Sequence, residues 1–444
     1  MSANPDIKAP LALKGRVLTF NDVRDPGQYD YWEKGCVVLE NSHISAVGEA
    51  GAVAIPDAAK VIDCGDDLIL PGFIDGHVHY PQMSVIASYG AKLIDWLNTY
   101  TFPEEEKFSD PEYAVATARF FLAESVKNGF TTSSVFCTTH PQSVDAYFVE
   151  AEKLGLRTIA GKVLMDRHGP ANLCDTAKTG YDQSISLIEK WHGKGRNLYA
   201  VTPRFAPTST PEQLEAAAAL YRDSDGVYVQ SHVAENVTEI EWVAELFPDA
   251  SSYLEVYKQF GLLGERTLYG HGIHFTDADI TMMKENGAAI VHCPTSNLFL
   301  GSGLFEYRKL QEAGIEIALG TDVGGGTSLS PFATVKAAYE IAQFHDTSIS
   351  PFEAFYLLTL GGAKALKLED RIGRIAPGYE ADLTILDMKS TDIIRHRIQN
   401  VDSLSDVLFA QIVLADDRAV RAVVANGEII YEKSGGDNRK GNNQ

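Results

Sequence analysis

"LILPGFIDGHVHYPQ", residues 68–82, is an apolar run that ends in two histidines two positions apart, His77 and His79. On a strand, residues i and i+2 point to the same face, so the two imidazoles share one side of the sheet this run enters. Seven further stretches repeat the unit of a short apolar strand, a polar or Gly/Pro turn and a helix-period segment. They are "TTSSVFCTTH" (131–140), "RTIAGKVLMD" (157–166), "LYAVTPRFAP" (198–207), "VYVQSHVAE" (227–235), "TLYGHGIHF" (267–275), "AAIVHCPTS" (288–296) and "EIALGTDVGGG" (316–326). Amphipathic segments such as "PEYAVATARFFLAESVKNG" and "TPEQLEAAAALYRDSDG" separate most of them. Near-continuous apolar strands alternating with helices predict a parallel sheet, and eight units predict a closed (β/α)8 barrel of the TIM type, in the α/β class. A doubly wound open sheet is the competing arrangement. Eight similar units, and no G-x-G-x-x-G after the first strand, count against it.

The flanks read differently. "GCVVLENSHISAVG" (35–48) and "AVRAVVANGEIIYEK" (419–433) are β-branched runs punctuated by Gly and Asn, and "ANGEIIYEK" carries an Asn-Gly turn signal. With no long helix expected between them, they predict antiparallel hairpins, joined from both chain ends into one small β-sandwich beside the barrel. The expected division is 1–70 for the first part of the sandwich, 71–371 for the barrel, and 372–444 for the second part with the C-terminal tail. That tail, "GGDNRKGNNQ" (435–444), is expected to fray. No linker rich in Ser or Pro is present, so the parts are expected to form one rigid body.

The barrel reading gives the histidines a meaning, because active sites of this fold sit at the C-terminal ends of its strands. At the same place in other units stand His232 with Glu235, then His271, and then Asp322. Imidazoles and a carboxylate converging from four strand ends suit a divalent transition metal. Taken singly, each histidine is more often structural than a ligand, and Asp322 before "VGGG" reads as a turn residue. Taken together at four strand ends, they are hard to explain as packing. His43, His192, His345 and His396 fall away from strand ends and read as surface or structural, while His140, His168, His274 and His292 have no role that spacing defines.

Composition narrows the classes. The 444 residues are 45% hydrophobic, enough for a large core, and the formal net charge of −22 argues against nucleic acid or an anionic membrane as partner. Five scattered cysteines without a C-x-x-C pair read as reduced thiols. "MSANPDIKAP" lacks a signal-peptide pattern and no apolar run approaches spanning length, so the expected compartment is the cytoplasm.

The set "PGFIDGHVH", "SHVAE", "GHG", "HCPTSN" and "LGTD" resembles the amidohydrolase superfamily of metal-dependent deaminases and hydrolases, over about residues 65–390. "HYPQ" (79–82), "WLNTYTFPEE" (96–105) and "TPRF" (202–205) are similar to its guanine-deaminating branch. The resemblance implies that His77, His79, His232 and Asp322 ligate one divalent ion, that His271 hydrogen-bonds the attacking water, and that Glu235 shuttles protons. It further implies that Gln82, Arg204 and Phe205 hold a purine, with His232 and Glu235 touching it. The implied activity is hydrolysis of guanine to xanthine and ammonia in purine catabolism, and the implied assembly a homodimer.

Chemistry supports these roles. Amine loss from a heteroaromatic ring at neutral pH needs a strong nucleophile, which a bound metal provides by lowering the pKa of its water to about 7. A carboxylate must then take, hold and deliver the protons. A basic residue at Asp322 or His271 is needed to orient the hydroxide, which adds Asp322 to Glu235 and His271 as a catalytic residue. Arg204 offers a planar fork to a carbonyl oxygen, with a salt bridge as its competing reading. Loop packing competes for Gln82 and Phe205. The fourth strand ends in "TPRF" with no lysine to bridge two ions, which favours one metal. Zinc is expected, although the same donors accept iron. Two further readings stand beside this one: a deaminase of another ring such as cytosine, a triazine or a nucleoside, and a barrel that serves only as a scaffold.

Overall fold

The computed structural model describes residues 9–89 and 93–433; the tail 435–444 lies outside them. The chain begins with β1 (Leu11–Phe20), β2 (Tyr29–Glu40), β3 (His43–Glu49) and β4 (Lys60–Pro71). Gly72 then breaks the first predicted strand. A Cβ at Gly72 would lie 2.0 Å from Thr131 Oγ1, so only glycine allows the chain to pass from one sheet to the next here. Beyond it β5 (Phe73–His79) starts the barrel, followed by β6 (Phe130–Phe136), β7 (Arg157–Gly161), the two-residue β8 (Val163–Leu164), β9 (Asn197–Pro203), β10 (Tyr228–Val233), β11 (Thr267–His271), β12 (Ala289–His292) and β13 (Glu316–Leu319). Each of the eight predicted stretches supplies its barrel strand. The order is β5-β6-β7-β9-β10-β11-β12-β13, all parallel, with β8 paired to β9. The ring is drawn together beyond the strands: Asp322 N donates to His77 O at 2.8 Å, and His79 N to Val323 O at 2.8 Å.

The flanking strands, completed by β14 (Leu383–Leu386), β15 (Val420–Ala425) and β16 (Glu428–Glu432), join as expected from before and after the barrel. They form one seven-stranded sheet in the order β16-β15-β14-β4-β1-β2-β3. Two details depart from the hairpin reading. β1 pairs with β4 in parallel. Helices Asp392–Ile398 and Leu404–Leu414 also stand between β14 and β15. The sequence of the second, "LSDVLFAQIVL", is apolar on nearly every side, so periodicity does not separate it from a buried strand. It packs against helices Pro331–Phe344 and Pro351–Leu357, burying Val407, Leu408 and Ile412. Alternation along β4 joins two cores: Leu68 and Leu70 enter the main core, while Ile69 packs in the end sheet's own cluster. Among the described residues no helix is long and apolar enough to cross a membrane.

At the N-terminal ends of β7 and β9, opposite the histidines, a largely buried ion network ties barrel to sheet, with Arg157 and Asp382 buried and Arg196 and Glu380 partly so. Arg157 Nε donates to Glu380 Oε2 at 2.8 Å, and Arg196 reaches Glu380 through Nε at 3.0 Å and Asp382 Oδ1 through Nη1 at 3.0 Å. Removing one member of such a group strands the others without a counter-charge. Arg196→Ala is therefore expected to cost about 3–5 kcal/mol. Denaturant unfolding of the protein measures it, and a cost below about 1 kcal/mol would class the network with surface pairs.

Candidate metal centre

Four strand ends deliver the site. His77 and His79 leave β5 on one face, His232 stands in β10 with Glu235 in the loop beyond, His271 ends β11, and Asp322 follows β13. His77, His79, Glu235, His271 and Asp322 are all buried, and His232 is nearly so. The backbone there is held in the left-handed region at three non-glycine residues: Ala234 (φ 47°), His271 (φ 75°) and Asp322 (φ 50°). Such conformations cost about 1–3 kcal/mol each and gather where a side chain must be aimed.

One ligand atom from each of His77, His79, His232 and Asp322 lies within 4.8 Å of the others. His79 Nε2 is 3.1 Å from His232 Nε2, and Asp322 Oδ1 is 3.3 Å from His77 Nε2 and 3.4 Å from His79 Nε2. Donors at about 2.0–2.1 Å from a tetrahedral ion are about 3.3–3.4 Å apart, so these edges fit a cation at their centre. Hydrogen bonding agrees. His232 Nδ1 donates to Arg204 O at 2.6 Å, which leaves its Nε2 free to ligate, and His77 Nε2 is buried with no hydrogen-bond partner. Burial pushes all three imidazoles below their ordinary pKa, keeping their lone pairs available. Burial alone would raise Asp322, but the surrounding histidines hold it far below the usual carboxylate range. Asp75 braces the pair, accepting from His77 N at 3.2 Å, Thr321 N at 3.0 Å and Thr321 Oγ1 at 2.6 Å.

Beside this group stand two titratable side chains. Burial raises Glu235 to about 7, and Ser302 Oγ donates to its Oε1 at 3.2 Å. His271 Nε2 lies 3.4 Å from Glu235 Oε2 and 3.8 Å from Asp322 Oδ2, while its Nδ1 faces Asn297 Oδ1 at 2.9 Å. Burial opposes charge on His271, yet Glu235 and Asp322 outweigh it and the net shift is upward.

The opposite wall holds Gln82, Arg204 and Phe205 with Trp96, Leu97 and Leu300, in a cleft of about 440 Å³ counted to its open mouth. The salt bridge weighed for Arg204 exists: Nη1 donates to Glu105 Oε2 at 2.7 Å. It uses half of the fork, and Nη2 is buried without a hydrogen-bond partner. Phe205 also packs edge-on to Trp242, with ring centroids 6.1 Å apart. Every residue picked from the sequence thus reaches one cleft or its floor.

Sequence reasoning passed over Glu105, Asn297, Ser302 and Cys293, whose thiol comes within 4.8 Å of donor atoms of His77, His271 and Asp322. Glu105 lies inside the quoted "TFPEE", and Cys293 and Asn297 inside "HCPTSN", but those stretches marked the resemblance without assigning these residues a role; Ser302 carried no signal. The undecided histidines stay outside: His292 stacks on Phe305 at 4.2 Å, His274 faces Ser302 O at 3.0 Å and His168 faces Pro207 O at 2.7 Å.

The sequence pattern of the amidohydrolase family matches residues 68–430. The chain belongs to the amidohydrolase family. Among amidohydrolases it is 44% identical over 404 residues to guanine deaminase of Escherichia coli (strain K12), covering 90% of this chain and 92% of that protein. The fold superposes on the structure of E. coli guanine deaminase with a TM-score of 0.93 at 42% identity, over 95% of this chain and 100% of that one. It superposes on guanine deaminase from C. acetobutylicum with bound guanine with a TM-score of 0.85 at 30% identity, over 95% and 100%. Amidohydrolases are metal-dependent, and the four-donor group is where an ion fits this member of the family.

Proposed function

We propose that the protein hydrolyses guanine to xanthine and ammonia, acting on a C–N bond of a cyclic amidine, with one zinc ion held by His77, His79, His232 and Asp322. The observation that carries this reading is a single cleft in which three of these donors face Gln82, Arg204, Phe205 and Glu235. An ion bound there would supply a water with a pKa near about 7, acidic enough to attack at neutral pH.

The chain's own residues do the rest. Asn297 fixes the ring of His271, turning Nε2 toward the point between Glu235 and Asp322 where the attacking water is hydrogen-bonded. Arg204 Nη2 is the spare donor for the carbonyl at C6, Phe205 packs on the ring and Gln82 binds its edge. The water oxygen bonds to C2 and the bond from C2 to the exocyclic nitrogen breaks. Glu235 takes the water's two protons in turn, passing the first to a ring nitrogen and delivering the second to the departing amino group, which leaves as ammonia while the oxygen stays on C2 as the new carbonyl; a carboxyl poised near 7 suits both directions. The proposal includes a cytoplasmic homodimer and a barrel bounded at residues 71 and 371.

Ammonia release from guanine by the metal-loaded protein tests the reading, and no release would end it. Glu235→Gln should keep the metal and the fold but lower kcat by about 10²–10⁴, because an amide cannot carry the proton. Near-normal turnover in the metal-replete variant would take Glu235 out of the mechanism.

A further inference from the structure

Glu105 lies at the end of the short helix Phe102–Glu105 and is fully buried, yet it belongs to neither the four-donor group nor the proton path. Its two oxygens are divided between two residues of the cleft wall. Oε1 accepts from Gln82 Nε2 at 3.1 Å and Oε2 accepts from Arg204 Nη1 at 2.7 Å. Gln82 is held from its other end as well, where Oε1 accepts from Gly324 N at 3.2 Å.

A carboxylate only accepts, and a backbone N–H only donates. Between them Gln82 has one orientation available. Turned over, its oxygen would oppose a carboxylate oxygen and its NH2 group would oppose the Gly324 N–H. Arg204 is constrained in the same way. Its guanidinium carbon lies 5.2 Å from the centre of the Phe102 ring, and Nη1 is taken by Glu105, so Nη2 is left as the buried donor without a partner. Buried donors of this kind are costly until an acceptor arrives.

We propose that Glu105 is a positioning residue that sets which ring the cleft accepts, by fixing the polarity of Gln82 and Arg204 so that a donor faces a ring carbonyl. The role rests on the reading of the protein as a deaminase of guanine. A carboxylate that merely neutralised a buried arginine would affect every substrate alike. One that aims donors affects rings with the carbonyl more than rings without it.

The comparison of guanine with 2-aminopurine separates the two, since both carry the amine at C2 and only guanine carries an oxygen at C6. kcat and KM are measured for both on the zinc-loaded wild type, Glu105→Gln and Glu105→Asp, with zinc content and melting temperature alongside. Differences in the rings' own reactivity cancel when each variant is compared with wild type. In Glu105→Gln, guanine should lose on the order of 10- to 100-fold in kcat/KM, mainly through KM, the scale seen when supporting partners of site residues are lost. 2-Aminopurine should change little, so the preference narrows while zinc stays at the wild-type level. Glu105→Asp keeps the charge but is one methylene shorter; it guards against a misfolded Glu105→Gln and should narrow the preference in part. If both substrates fall by one factor, or neither falls, the role of Glu105 is overturned and the functional reading stands. A wild type inactive on guanine overturns both together.

Discussion

Guanine should exceed adenine by about 10⁴–10⁵ in kcat/KM on the metal-loaded protein, the range over which a site built to bond one substrate group rejects a ring that lacks it. The reason lies in the half-used fork of Arg204. Nη1 is committed to Glu105 and Nη2 is a buried donor without a partner, so the cleft asks for an acceptor. Guanine offers a carbonyl oxygen at C6; adenine offers an amine there, leaving donor against donor, and in that pose it carries hydrogen at C2 and has no amine to lose. Arg204→Ala should therefore weaken guanine turnover and leave the metal in place. That variant also leaves Glu105 buried without a counter-charge, so it is read beside Arg204→Lys, which keeps the charge but loses the planar fork. Cytosine and a triazine complete the panel. If another ring outruns guanine, or the variants leave the ranking and the rates intact, the substrate assignment is wrong even with the metal site right.

Loss of a ligand should be more complete. His77→Ala or Asp322→Ala is expected to release the metal and reduce ammonia production to background, because the remaining donors no longer surround the ion and no other group at the site supplies the nucleophile. Elemental analysis should give one metal per chain in the wild type and almost none in either variant. Two per chain, or full activity from a metal-free preparation, would sink the mononuclear reading. The same analysis decides between zinc and iron.

The parts legible in the sequence are those fixed by strand geometry. His77, His79, His232, His271 and Asp322 could be gathered on paper because each follows an apolar run, and a parallel barrel brings all such ends to one rim. Glu105 could not be gathered this way. It comes from residues 93–109, a chain of short helical turns without a common period. What carries that chain across the rim is the packing of Trp96, Leu97 and Phe102 with Val85, Phe136 and Leu300. Asn297 closes the quoted "HCPTSN", but its role is hidden for another reason: it is an uncharged residue on the six-residue helix Pro294–Phe299, and only contact reveals that it aims His271. The break at Gly72 is invisible because the apolar pattern runs on unchanged from one sheet to the next.

That break also governs the order in which the protein can be assembled. β4 is the central strand of the end sheet, bonded to β1 on one side and, with Pro71 opposite Leu383, to β14 on the other. β1 leaves the ribosome shortly before β4, but β14 follows about 300 residues later, after the entire barrel. At about 5–20 residues per second the wait is roughly 15–60 s. Throughout it one edge of β4 exposes unpaired backbone next to Leu68 and Leu70, the kind of edge that recruits foreign strands. Nascent chains stalled before residue 383 should therefore be the most aggregation-prone species of this protein, with a barrel that can close and a sheet whose middle, rather than its rim, is still open.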